Sequence, residues 1–156
     1  MSLRHEDAEY ELDRRFTFLD HTADVYIAAY GRTLEEAFSN AGIAFFEVMT
    51  DTKKVERKVR KYIKVEGFDY FSLLYNWLEE LLFIFEAKGL VFSHIEVKEI
   101  QKISESKIIL EAVAEGENFD PQRHESRTLV KAVTYSLMDI SKRDDGTYVV
   151  KFVLDI

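Results

Sequence analysis

The chain has 156 residues, with 21 basic and 29 acidic side chains, a formal charge of −8, 47% hydrophobic and 13% aromatic residues, one Pro and no Cys. That length suits one compact domain, and 12 Phe with 8 Tyr supply enough apolar area to offset the entropy of ordering, which argues against intrinsic disorder. The lack of Cys excludes disulfides, thiolate metal sites and Cys nucleophiles, and the acidic balance argues against strong direct binding to nucleic acid, whose affinity comes from Lys and Arg neutralising phosphates.

Residues 1–15 carry five acids and three arginines around scattered apolar positions, the composition of a mobile extension, so the folded domain is expected over 16–156. No apolar stretch at the N-terminus resembles a secretory signal, and the longest apolar run, Leu81 to Phe85, is far too short to span a bilayer. The expected setting is the cytoplasm, with no membrane partner. Phe16 to Leu19 and Val25 to Tyr30 read as two short strands parted by the polar turn Asp20-His21-Thr22-Ala23-Asp24. Thr33-Leu34-Glu35-Glu36 has the spacing of a capping box, and a helix follows in which Leu34, Ala37, Phe38, Ala41, Phe45 and Val48 recur at helical spacing. Asp51 and the basic run after it end that pattern.

Val59, Ile63 and Val65 alternate with Arg60, Lys61 and Lys64, so 55–66 reads as a half-buried strand. Asp69 is placed to cap a second helix, whose apolar stripe of Phe71, Leu74, Leu78, Leu81, Leu82 and Phe85 closes at Lys88-Gly89. Residues 91–103 and 107–115 read as a hairpin around Ser104-Glu105-Ser106, and 129–141 and 147–154 as another around Asp144-Asp145-Gly146. Two long helices and about seven strands in the order ββαβαββββ give an α+β, two-layer fold, a mostly antiparallel sheet with helices on one face.

Asp20, His21 and Asp24 put two carboxylates and an imidazole at a strand boundary, where side chains can converge on a cation or a reacting group. Asp and Thr also cap turns on their own account, so on this segment alone the structural reading is the stronger. The last strand ends in Asp155-Ile156, which would offer a side-chain and a terminal carboxylate to a hard cation, or would simply fray into solvent. Lys131 is the odd residue in Leu129-Val130-Lys131-Ala132-Val133-Thr134-Tyr135, explained either by an exposed edge or by a carboxylate partner in a cleft. His124 reads as a loop histidine with no second ligand at metal spacing. On the second helix Phe83 falls among Asn76, Glu79, Glu80 and Glu86, an aromatic framed by acids that would suit a basic partner. Nucleotide-loop, zinc-protease and serine-hydrolase motifs are missing.

In order along the chain, Asp20-His21-Thr22-Ala23-Asp24, Gly31 with Thr33-Leu34-Glu35-Glu36-Ala37-Phe38, Leu78-Glu79-Glu80-Leu81-Leu82, Gly89-Leu90-Val91-Phe92 and Val130-Lys131-Ala132-Val133-Thr134-Tyr135 closely resemble the archease family. The resemblance implies the archease fold, related to the strand-helix-strand-strand module. It also implies a protein cofactor of the GTP-dependent tRNA-splicing RNA ligase, one that promotes guanylylation of the ligase and multiple turnover. It implies a metal site at Asp24, Asp155 and Ile156, holding Ca²⁺ or else Mg²⁺ or Mn²⁺, and a role for Lys131 in activating the partner. One departure stands out: the family commonly has His after the Thr-Tyr pair, and Ser136 here cannot take a proton near neutral pH. Asp20 varies among relatives and weighs less than Asp24. Two rival readings are a metal-dependent hydrolase using Asp20, His21 and Asp24, and a chaperone-like adaptor working through Phe83.

Overall fold

A computed structural model describes residues 15–19 and 24–156. In chain order its elements are β1 (Phe16–Leu19), β2 (Val25–Gly31), helix α1 (Leu34–Met49), β3 (Val59–Gly67), helix α2 (Tyr70–Lys88), β4 (Leu90–Ser104), β5 (Lys107–Asn118), β6 (Ala132–Val133), β7 (Asp139–Lys142) and β8 (Tyr148–Asp155). Two helices with antiparallel strands make the fold α+β, as the pattern of elements implies. The strands divide into two sheets: β1, β2 and β8 lie side by side with β6 and β7 sharing the far edge of β8, and β3, β5 and β4 form the second sheet in that order. The expected extension over 1–15 falls outside the described residues except Arg15, whose carbonyl accepts from the Tyr30 amide at 2.9 Å.

Helix α1 begins where Thr33 Oγ1 accepts from the Glu36 amide at 3.1 Å, and Glu36 reaches back one residue further than a capping box requires, accepting from the Arg32 amide at 2.6 Å. Twelve of its 16 residues are buried, far more than the six-residue stripe read from periodicity, because strands of both sheets touch it. Its polar side chains serve that position. Asn40 Nδ2 donates to the Tyr30 carbonyl of β2 at 2.7 Å, and Ser39 Oγ accepts from the Val97 amide of β4 at 2.8 Å, so one helical turn is tied to each sheet. Paired in this way, the two buried polar groups avoid the desolvation penalty of unsatisfied ones.

Helix α2 opens on a reciprocal capping box between Asp69 and Ser72 and closes at Gly89, whose φ of 67° is the left-handed cap that glycine adopts without a Cβ clash. It packs on β3 and β5 of one sheet and on β6 and β7 of the other. Trp77, absent from the expected stripe, is fully buried and donates from Nε1 to the Phe38 carbonyl of α1 at 2.9 Å, whereas Phe71 at the helix start stays 42% exposed. Each fully buried Phe, Leu or Ile of this core contributes about 1.5–3 kcal/mol.

The β4–β5 pairing shifts register between Phe92 and His94, opposite Gly116. A Cβ on residue 116 would lie 1.9 Å from the Val91 carbonyl oxygen, so the close approach of the two backbones requires glycine there. Gly116→Ala is expected to lower stability by about 1–3 kcal/mol, the usual cost of overpacking, read as a lower urea midpoint at unchanged m-value. The segment expected as one strand over 129–141 is instead two short pieces, β6 and β7, parted by residues 134–138. Leu137 breaks the strand with a φ of 55°, a conformation that opposes extended pairing. No helix among the described residues is long and apolar enough to cross a membrane.

Candidate functional site

β8 stands between β2 and β6, and its register gathers four of the six sequence-derived candidates at one end of the five-stranded sheet. Val25 pairs with Leu154 and Ala132 with Asp155. Asp24 therefore stands just before β2, Asp155 closes β8, Ile156 follows it, and Lys131 immediately precedes β6. The Lys131 amide donates to the Asp155 carbonyl at 2.7 Å, which fixes β6 to β8 by backbone alone. The Asp155 and Lys131 side chains are exposed, Asp24 is half-buried, and the Ile156 side chain packs against the core. Asp20 and His21 lie outside the described residues.

Two carboxylates beside main-chain oxygens form an all-oxygen donor set, which matches hard cations such as Ca²⁺ and Mg²⁺. Among the described residues no three His, Asp or Glu side chains gather to hold a metal. With two side chains in place, main-chain oxygen and water would have to complete a cation's coordination. That donor set has the chemistry to fit a hard divalent ion.

The break between β6 and β7 lies beside this end and carries features that the sequence pattern hid. Thr134 Oγ1 donates to the Val153 carbonyl of β8 at 3.0 Å and accepts from the Ser136 amide at 3.2 Å, so one hydroxyl anchors the turn. Tyr135 stacks on Tyr75 of α2 with ring centroids 4.3 Å apart and planes 5° from parallel. Burial raises the Tyr135 hydroxyl above the usual phenol range, with Tyr75 and Asp69 acting in the same direction. Leu129, before β6, and Tyr135 and Leu137, after it, are exposed apolar side chains on the segment that carries Lys131. Tyr75 sits outside the apolar stripe of α2, and a leucine in the left-handed region has no sequence signal.

His124 occupies a loop, as its neighbours suggest, yet it is 4% exposed rather than free. Its Nδ1 accepts from the Asp120 amide at 2.8 Å, which leaves Nε2 as the N–H that donates to Glu117 Oε2 at 2.9 Å. Glu117, on β5 and equally buried, also accepts from the Glu56 amide at 2.7 Å and from the Arg123 guanidinium through both Nη atoms. The Arg123 hydrogen bonds, aided by those from Glu56 and His124 and opposed by burial, pull the Glu117 carboxyl down to about 2. Every group in this cluster has a partner, so it pins the loop after β5 rather than awaiting a substrate. Further along, Arg127 is held by Glu47 at 2.7 Å and Glu125 at 2.6 Å, and its amide donates to the Met49 carbonyl at the end of α1. On α2, Phe83 is 59% exposed.

The model of the Archease protein family (MTH1598/TM1083) matches residues 16–156. Similar curated proteins include Protein archease of Sulfolobus acidocaldarius, 50% identical over 91% of this chain and 99% of its own length. Protein archease of Sulfurisphaera tokodaii is 48% identical over 92% of this chain and 99% of its own. Among solved structures, the solution structure of Methanobacterium thermoautotrophicum protein 1598 superposes with a TM-score of 0.77 at 40% identity, covering 91% of this chain and 99% of that one.

Proposed function

The chain belongs to the archease family, and from that premise we propose that it is a protein cofactor, not itself an enzyme, of the cytoplasmic GTP-dependent tRNA-splicing RNA ligase, promoting ligase guanylylation and multiple turnover. The observation that carries this reading is the register of β8, which brings Asp24, Asp155 and Ile156 to the same sheet end as Lys131. Asp24 and Asp155, with main-chain oxygen of Ile156, would hold a divalent cation, Ca²⁺ or else Mg²⁺ or Mn²⁺. Such a cation, when bound, supplies charge neutralisation beside phosphate oxygens.

The chain's own residues do the rest of the work in this reading. The exposed Lys131 ammonium meets phosphate or carboxylate on the partner as a mobile point charge. Leu129, Tyr135 and Leu137 supply apolar contact on the same segment, and the acidic surface speeds encounter with a basic ligase mouth. Ser136 takes no part in proton transfer, because its hydroxyl does not titrate near neutral pH.

The test is multiple-turnover ligation of RNA by a limiting ligase from the same organism, with and without the chain. A rise in turnover of about tenfold or more is expected. No change would overturn the reading, and hydrolysis of RNA or a phosphoester by the chain alone would favour the hydrolase that Asp20, His21 and Asp24 could form.

A further inference from the structure

We propose that the outer face of β3 is a contact site for single-stranded RNA, with Tyr62 as the stacking platform for a base and Arg60 and Lys64 as partners of successive phosphates. Between Lys53 and Lys64 stand seven basic residues and one acid, in a chain whose net charge is −8. Arg57 and Lys58 are taken up by ion pairs with Glu115, Glu56 and Glu117, but Lys53, Lys54, Lys61 and Lys64 make no ion pair among the described residues. On the same face Glu115, held by Arg57, stands opposite Arg60 and Glu111 stands opposite Lys64, so a phosphate would be met along the outer edge of β3, which no strand covers, and screening over about 8 Å at physiological salt weakens the field of acids farther off.

The strand geometry adds to the charge. Alternation along β3 points Arg60, Tyr62 and Lys64, with Glu66 after them, to one exposed face, at steps of about 6.4–6.8 Å, comparable with the repeat of an extended single strand. Tyr62 is 77% exposed, the most exposed large apolar side chain among the described residues, and the Arg60 guanidinium lies 5.5 Å from its ring centroid. Beside the ring is a shallow depression of about 360 Å³, bounded by Lys64, Lys98, Glu99, Glu111 and Val113. Its carboxylates would accept from the amino and imino groups of a base, whereas a phosphate would avoid them.

Edge protection explains lysines on an outer strand of a sheet, and β3 is one. It does not explain an unburied tyrosine held between two cations above a hollow. Aromatic side chains on an open sheet face, flanked by Lys and Arg, are how proteins hold unpaired bases. An acidic protein partner would use the cations and leave the ring and the hollow without a role. The site lies on the sheet that does not carry Asp24 and Asp155, and it stands or falls independently of the ligase reading.

The experiment is fluorescence anisotropy with a short fluorescein-labelled single-stranded oligouridylate at low salt. The wild-type chain is expected to bind in the micromolar range, with Tyr62→Ala raising Kd about tenfold. Lys64→Gln should lessen the slope of log K against log salt by about 0.7, one phosphate contact. All three side chains are exposed, and Arg60→Gln is a second charge variant should either of the others fail to show wild-type circular dichroism. Absence of wild-type binding, or wild-type affinity in Tyr62→Ala, would overturn the proposal. Equal displacement of the oligonucleotide by polyglutamate would also overturn it and assign the face to an acidic protein.

Discussion

Asp155→Ala is expected to remove the turnover gain that the intact chain gives a limiting ligase, a loss of about tenfold or more, while the melting temperature stays within about 2 °C of wild type. The separation of the two effects follows from which atoms do what. Pairing of β8 with β2 and β6 runs through backbone groups, and so does the bond from the Lys131 amide to the Asp155 carbonyl. The exposed Asp155 carboxylate contributes to none of them, and exposed side chains away from caps and cores change stability little. Asp155→Asn keeps the shape and removes the charge, so it should behave as Asp155→Ala if the carboxylate is a cation ligand. Calorimetric titration with Ca²⁺ gives a second readout, in which wild type should release heat of binding and both variants should not. An Asp155→Ala chain that melts normally and still activates would remove the acidic end from the function.

Glu117→Ala should act on the fold instead, lowering stability by about 2–4 kcal/mol. The carboxylate is the common acceptor for Arg123, His124 and the Glu56 amide, and its loss strands the buried N–H of His124 and takes this acceptor from the Glu56 amide. The estimate stays at the low end for a buried charge cluster because Arg123 and Lys58 reach solvent and can be hydrated. The same group sets an acid limit. Its folded value is about 2, below the ordinary 4.5, so its stabilisation is complete above pH about 4.5 and is lost as pH falls from there toward 2. Urea melts at pH 7 and pH 3 should show a large difference for wild type and a smaller one for Glu117→Ala. Equal pH dependence in both would mean that other carboxylates dominate acid unfolding.

Local chemistry made much of the fold legible. Thr33, Asp69 and Gly89 are caps whose side chains or lack of one act within a single turn, and all three stand where their sequence signals put them. The division into two sheets had no such local cue, because it depends on which strands meet α1, and period-2 alternation is blind to partners. The full burial of α1 was hidden for a related reason. Ser39, Asn40 and Gly42 stand outside the apolar stripe of Leu34, Ala37, Phe38, Ala41, Phe45 and Val48, yet contacts with β2, β4 and α2 bury them. At the candidate site, the residue types in Asp24, Lys131 and Asp155 were visible, but their placement at one sheet end is a matter of register, and Asp24 is more than a hundred residues from the other two, which no spacing rule reaches. His124 is the loop histidine that its neighbours suggest, but its burial was not legible, since that depends on Glu117 and on the turn at Asp120.

The place of β8 in its sheet also governs how the molecule comes into being on the ribosome. β2 ends at Gly31 and its partner begins at Tyr148, so β1 and β2 leave the exit tunnel with one edge unpaired and nothing yet made that can close it. At about 5–20 residues per second the wait is roughly 6–24 s, during which Ile27, Ala29 and the face of α1 that β8 covers remain open to other chains. The three-stranded sheet, by contrast, joins segments close in sequence through the β4–β5 hairpin and can assemble first. Vectorial synthesis therefore builds the β3–β5–β4 half before the sheet end bearing Asp24 and Asp155 can close.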